Sequence, residues 1–196
     1  PKTPAFLATN TSDVSRMRHT AVIIALMTAG ESVFLLPFVL ARIFRPTLLD
    51  VFEITNLELG VAFSTYGVVA IAAYFAGGPL ADRYSARSLM STSLVATGLG
   101  GVVLATIPST GVMNVLWGVW GATTILLFWS AMLRATREWG GDQAQGRAYG
   151  LLDGGRGLMG ALIASATVVL FAIMLPVDPG VANLEQRTAA FTGVIW

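Results

Sequence analysis

Long uncharged stretches alternate with short clusters of charge along this chain. Residues 59–81, 88–133 and 157–177 contain no Asp, Glu, Lys or Arg, and a further apolar run over residues 20–41 is broken by Glu31 alone. A bilayer core about 30 Å thick needs roughly 20 apolar residues of helix, so each run is long enough to be a membrane span. The 46 uncharged residues 88–133 exceed that length more than twofold as one helix, which predicts a turn at residues 108–111, Pro-Ser-Thr-Gly. Continuous apolar runs, in place of short alternating segments, argue against a β-barrel.

The pattern predicts an all-α polytopic transmembrane bundle with five complete spans and the start of a sixth. Residues 1–18 read as a polar lead-in, with the first helix entered near Ser15. Span one covers residues 19–44 and a polar connection covers 45–57. Within that connection, Thr55 and Glu58 have capping-box spacing, which places the start of span two there. Span two runs to about residue 80, spans three and four flank the predicted turn, and span five covers residues 147–175. The Pro-Val-Asp-Pro-Gly segment at 176–180 ends span five, and span six begins near Ala189. The chain opens at Pro1 and stops inside an apolar run, so it is expected to be part of a longer protein.

Composition sharpens this picture. Of all residues 55% are hydrophobic and 12% charged, against roughly 25% charged in ordinary soluble domains. There is no cysteine and one histidine, His19, so thiolate chemistry and the usual zinc or haem ligand sets are excluded. No cofactor or metal is expected, and a net charge of +1 gives no reason to propose nucleic acid. With the N-terminus in the cytoplasm, eight basic residues (Lys2, Arg16, Arg18, Arg83, Arg87, Arg134, Arg137 and Arg147) fall inside against three outside, Arg42, Arg45 and Arg187. That distribution satisfies the positive-inside rule. Small residues recur every four positions at Ser93, Thr97, Gly101 and Ala105 on span three. They do so again at Gly157, Ala161 and Ser165 on span five, and both stripes read as faces for close helix packing.

The connection between spans two and three reads Gly78-Pro-Leu-Ala-Asp82-Arg83-Tyr-Ser-Ala-Arg87. An aspartate at a helix C-terminus faces the negative end of the helix dipole, so Asp82 calls for compensation by Arg83, Arg87 or another helix's N-terminus. Gly78, one turn earlier, leaves room for a neighbouring helix. Charges held against a helix end at one membrane face suit a latch. At these residues the sequence resembles the major facilitator superfamily. The superfamily's signature between its second and third helices runs Gly-x-Leu-Ala-Asp-Arg-x-Gly-Arg-Lys/Arg; Gly78, Leu80, Ala81, Asp82, Arg83 and Arg87 match it. Ser85 stands for the usual Gly and Ala86 for a basic residue. The Arg-x-x-Gln-Gly pattern of helix four and the Gly-Pro motif of antiporter fifth helices are absent; Arg134 stands at the cytoplasmic end of span four as an interfacial anchor. The resemblance implies that about 180 residues form the first half of a twelve-helix transporter, with Asp82, Arg83 and Arg87 helping to hold the cytoplasmic face in one state.

Three charges lie within the spans. Glu31 has 11 uncharged residues before it and 10 after it, which places its carboxyl near the bilayer centre, where an ionised side chain costs at least about 2.5–3.5 kcal/mol. It is a candidate proton carrier or substrate contact, or else a protonated carboxyl bonded to a neighbouring helix. Asp153 and Arg156 share a face of span five at i,i+3 and form either a local ion pair or, through Arg156, a cavity cation for an anion. Phe34 and Phe38 follow Glu31 on its face. Trp120 and Thr124 lie deep on span four as possible substrate contacts, whereas Trp117 and Trp129 read as interfacial anchors.

These readings converge on a secondary active transporter moving a small solute, an organic anion or sugar derivative, by alternating access in symport or antiport with protons. Its expected partners are the lipid bilayer, the solute and a C-terminal six-helix half of the same chain. Its expected location is a cell membrane, in bacteria the inner membrane, with the N-terminus in the cytoplasm. The competing class is a non-transporting bundle that serves as a sensor or assembly partner. A membrane enzyme is disfavoured, because no nucleophile–base constellation is present.

Overall fold

A computed structural model describes the backbone of residues 5–196 and the side chains of residues 16–196. Among these residues the chain is helical, with no strand. The eight helices are α1 (Ala5–Ser32), α2 (Leu35–Ile43), α3 (Arg45–Val51), α4 (Asn56–Arg83), α5 (Ala86–Leu104), α6 (Thr110–Gly140), α7 (Gln145–Met174) and α8 (Leu184–Ile195). Four of them, α4 to α7, are each long and apolar enough to cross a membrane, and α1 with α2 forms a fifth span bent by 42°. The all-helical polytopic bundle expected from the pattern is therefore the fold observed.

The bend has a local cause. Pro37 has no N–H, so the Val33 carbonyl loses its usual helical partner, and the ladder reopens as one widened turn over Leu35–Val39. Phe38 and Val39 both donate to the Phe34 carbonyl, at 3.1 and 3.2 Å. A second widened stretch, Ala122–Trp129, lies inside α6. There the Thr123 and Thr124 hydroxyls donate to the Trp120 carbonyl at 3.4 and 2.6 Å, competing for an acceptor that the helix ladder would use.

Several boundaries differ from those expected. The lead-in is helical from Ala5, not from Ser15, because no proline or glycine interrupts residues 5–29; the first four residues lie outside the described ones. The connection 45–57 is not simply polar, since α3 forms within it and buries Leu48 and Val51. The turn after α5 spans residues 105–109, and Gly111 already belongs to α6. That helix continues past residue 133 to Gly140, because Arg134, Ala135 and Arg137 are good helix formers at an interface where charge is tolerated. Helix α8 starts at Leu184, five residues before the expected point, behind an Asn183/Gln186 capping box. The Thr55/Glu58 box is present as expected: Glu58 N–H donates to Thr55 Oγ1 at 3.3 Å, and Thr55 N–H donates to the Glu58 carboxylate at 2.7 Å.

Two apolar clusters hold the bundle together. One gathers Leu40, Phe44, Leu48, Leu59, Trp117, Trp120 and Phe191; the other gathers Ile23, Leu26, Leu89, Phe128, Met132 and Leu152. Trp129 borders both. Trp117 is fully buried against Trp120, so it is a core residue and not the interfacial anchor expected from its place in the sequence. The span-three stripe packs as expected, with Ser93 and Thr97 buried and bonded to Thr123 of α6 at 2.7 and 2.8 Å. The span-five stripe does not. Gly157, Ala161 and Ser165 are exposed, and a Cβ at Gly157 would meet nothing within 4 Å. Outward faces carry Val68, Ile71 and Phe75 on α4 and Leu158, Leu162 and Ile173 on α7. Water would not tolerate so continuous an apolar surface, whereas lipid or further helices would cover it.

Candidate functional site

The site lies where α1 crosses α7, and glycines let the two backbones approach. A Cβ on Gly30 would stand 2.9 Å from Cδ of Arg156 and 2.8 Å from Sδ of Met132. One on Gly160 would stand 2.8 Å from Oε1 of Glu31, and one on Gly155 would collide with Met27. Close approach brings the two mid-span charges of opposite sign together. Arg156 Nη2 lies 3.8 Å from Glu31 Oε2, and both side chains are largely buried, at 18% and 17% exposure. Asp153, one turn earlier on α7, lies 3.7 Å from Arg156 Nη1, but its side chain is 75% exposed. The expected local pair therefore exists, yet Arg156 leans on a second carboxylate from another helix.

The guanidinium is held from three sides. Its Nε donates to the Gly30 carbonyl at 3.2 Å, and its carbon sits 5.8 Å from the Phe34 ring centre and 5.4 Å from that of Trp129. Aromatic faces attract a cation by about 0.5–2 kcal/mol, more as water is excluded. Phe34 meets Trp129 edge-on at 6.2 Å. Trp129 thus belongs to the site, a correction to its reading as an anchor. At 3.7 and 3.8 Å the carboxylates are beyond direct hydrogen bonding. Both ends of the guanidinium fork consequently keep donors that a planar anion fits bidentately.

Beside this pair a cavity of about 350 Å³ opens between α2 and α7, lined by Glu31, Val39, Arg42, Ile43, Gly157, Gly160, Ala161 and Ala164. The exposed small residues of span five are one wall of it.

Other expected contacts fall elsewhere. Phe38 packs on Phe63 and Tyr66, with ring centres 5.5 and 4.7 Å away, so it walls the interior beside Phe34. Trp120 and Thr124 are completely buried. Trp120 Nε1 donates to the Thr97 carbonyl at 3.0 Å, and Thr124 Oγ1 meets the Tyr66 hydroxyl at 2.6 Å. Their polar atoms are satisfied inside the bundle, which corrects the expectation that they face a solute. His19 is exposed and stacked on Trp139 at 4.3 Å.

At the Gly78–Arg87 connection, Asp82, Arg83 and Arg87 are all exposed, and Asp82 has no ion-pair partner among the described residues. The cation at this helix end is Arg134 of α6, whose Nη1 donates to the Ala81 carbonyl and, at 3.4 Å, to that of Tyr84. Arg134 also pairs with Glu138 at 2.7 Å. It is a C-terminal cap rather than a mere anchor, because the last carbonyls of a helix attract cations. Ser85 caps α5 by accepting from Ser88 N–H at 3.1 Å. Gly78 faces open space, and the close approach falls instead on Gly77, where a Cβ would stand 2.8 Å from Ser130 Oγ. Leu80 and Ala81 are the motif residues that pack inward.

The chain is thus a helical membrane bundle with this motif between its second and third spans. Residues 20–177 match the Major Facilitator Superfamily, and the chain belongs to it. It is 34% identical over 124 residues to inner membrane protein YqcE of Escherichia coli (strain K12), an alignment covering 63% of this chain and 29% of that protein. It is 30% identical over 146 residues to inner membrane protein YihN of the same organism, covering 74% and 34%. The chain thus spans about a third of the length of these relatives. No solved structure matches it.

Proposed function

We propose that the protein containing this chain is a secondary active transporter that moves a small organic anion together with protons by alternating access, from an inner membrane in which the N-terminus faces the cytoplasm. The observation that carries this reading is the Glu31–Arg156 pair, largely buried at mid-span, with Glu31 lining a cavity. With Glu31 ionised, the two charges offset one another and Arg156 has little call for a ligand. Protonating Glu31 removes its negative charge and leaves Arg156 to an incoming anion, so proton and anion favour each other's binding, as thermodynamic linkage requires. Release of either toward the other side frees its companion. The Asp82-Arg83-Arg87 turn would bias which face is open, in contact with a second half of the same protein.

Uptake of organic anions into proteoliposomes tests this directly. A pH gradient, acid outside, should drive accumulation, and Glu31→Gln should retain exchange of anion for anion while losing acceleration by the gradient. Gradient-driven uptake that survives Glu31→Gln unchanged removes Glu31 from the coupling step.

A further inference from the structure

Three arginines stand near the outer ends of the spans. Arg45 donates to Asn56 Oδ1 at 2.8 Å and Arg187 to Asp50 at 2.6 Å. Arg42 has no such partner among the described residues, is exposed, and lines the cavity that Glu31 enters from its other end. Apart from these two side chains the cavity wall is apolar or glycine. A volume of about 350 Å³ is within the range of small-molecule sites, which begin at about 300 Å³. Glu31 and Arg42 lie on either side of the bend between α1 and α2, and both line this one cavity. Because Arg156 offsets Glu31, Arg42 is the charge in this cavity left without a counterpart.

We propose that Arg42 is a second substrate-binding residue, which selects solutes carrying an additional anionic group on a short chain. One anionic group, entering as Glu31 is protonated, engages Arg156, which stands 3.8 Å behind the Glu31 carboxyl that lines the cavity, while the second engages Arg42 along the small-residue wall of α7. A dicarboxylate and a phosphorylated carboxylate share this chemistry. The inference rests on the anion-transport reading and adds the substrate class to it. Gly157, Ala161 and Ala164 leave the cavity shared by Glu31 and Arg42 clear of large side chains, and larger residues there would divide it.

Binding to the intact purified protein tests the proposal with two matched pairs of probes: succinate against butyrate, and 3-phosphoglycerate against glycerol 3-phosphate. Each pair differs by one carboxylate, and the pair showing the larger difference identifies whether the other anionic group, the one common to the pair, is a carboxylate or a phosphate. The wild-type protein should bind the probe with the extra group at least tenfold more tightly in one pair. Arg42→Gln should reduce that ratio to within twofold, and Arg42→Lys should retain most of it, which separates loss of charge from loss of folding. A tenfold ratio that persists in Arg42→Gln, or a wild-type preference for butyrate and glycerol 3-phosphate, overturns the proposal while leaving anion transport standing. If none of the four probes binds and uptake is indifferent to Arg156→Gln, the transport reading itself fails and takes this one with it.

Discussion

Arg156 and Gly30 are joined across two helices by a single hydrogen bond, from guanidinium Nε to carbonyl oxygen at 3.2 Å. That bond occupies Nε and leaves the two Nη groups as the remaining donors of the guanidinium fork. A lysine ammonium cannot divide its donors in this way. Arg156→Lys should therefore lower anion uptake at least tenfold, equivalent to about 1.4 kcal/mol, although the positive charge is kept. Initial-rate uptake into proteoliposomes measures it, and a loss smaller than threefold would show that the fork is irrelevant.

Gly160 and Gly157 lie three residues apart on α7 and make opposite predictions. A Cβ on Gly160 meets Glu31 Oε1 at 2.8 Å, whereas one on Gly157 meets nothing. Gly160→Ala should displace the Glu31 carboxyl and reduce gradient-driven uptake severalfold, the usual scale of overpacking being about 1–3 kcal/mol. Gly157→Ala should leave uptake within about twofold, since an unobstructed methyl group carries none of that penalty. Equal effects from the two would mean that the α1–α7 spacing is not what positions Glu31.

Much of this was legible in the sequence, and what was not has definite causes. Apolar runs gave the spans because a bilayer imposes a length. The contact between Glu31 and Arg156 joins residues 125 positions apart, which no periodicity within one helix shows. A signal was nevertheless present. Spans one and five run in the same direction, Glu31 follows His19 by 12 residues and Arg156 follows Arg147 by nine, so opposite charges sit at nearly one depth. Trp117 and Trp129 were misplaced because an aromatic near a span end looks the same whether it faces lipid headgroups or a neighbouring helix. The span-five stripe misled similarly, since small residues serve equally to admit a helix or to line a cavity.

Arg134 should matter to stability. Removing a cation that caps α4 and pairs with Glu138 costs about 1 kcal/mol on the usual scale of helix-end charges. Arg134→Ala should lower the melting temperature in detergent by a few degrees, whereas Arg87→Ala, exposed and unpaired among the described residues, should not. An unchanged melting temperature in Arg134→Ala would mean that solvent replaces the cap at no cost.

Asp50 and Arg187 form a 2.6 Å ion pair between α3 and α8, partly exposed at 49% and 29%. Exposed pairs contribute little, so a double-mutant cycle of Asp50→Asn and Arg187→Gln in unfolding experiments should give a coupling of about 0.2–1 kcal/mol. A coupling of zero would leave this region held by apolar packing, Phe44 and Phe52 meeting Phe191.

The bond from Arg134 to the Ala81 carbonyl also sets how the Asp82 turn can be displaced. The ends of α4 and α6 are riveted there, and Tyr66 is bonded to Thr124 deeper along the same two helices, so the turn is tied to both. It is the tip of a two-helix lever, and any shift of Asp82 must be accompanied by tilting of a rod that reaches through the bundle to the fully buried Leu59 and Met113.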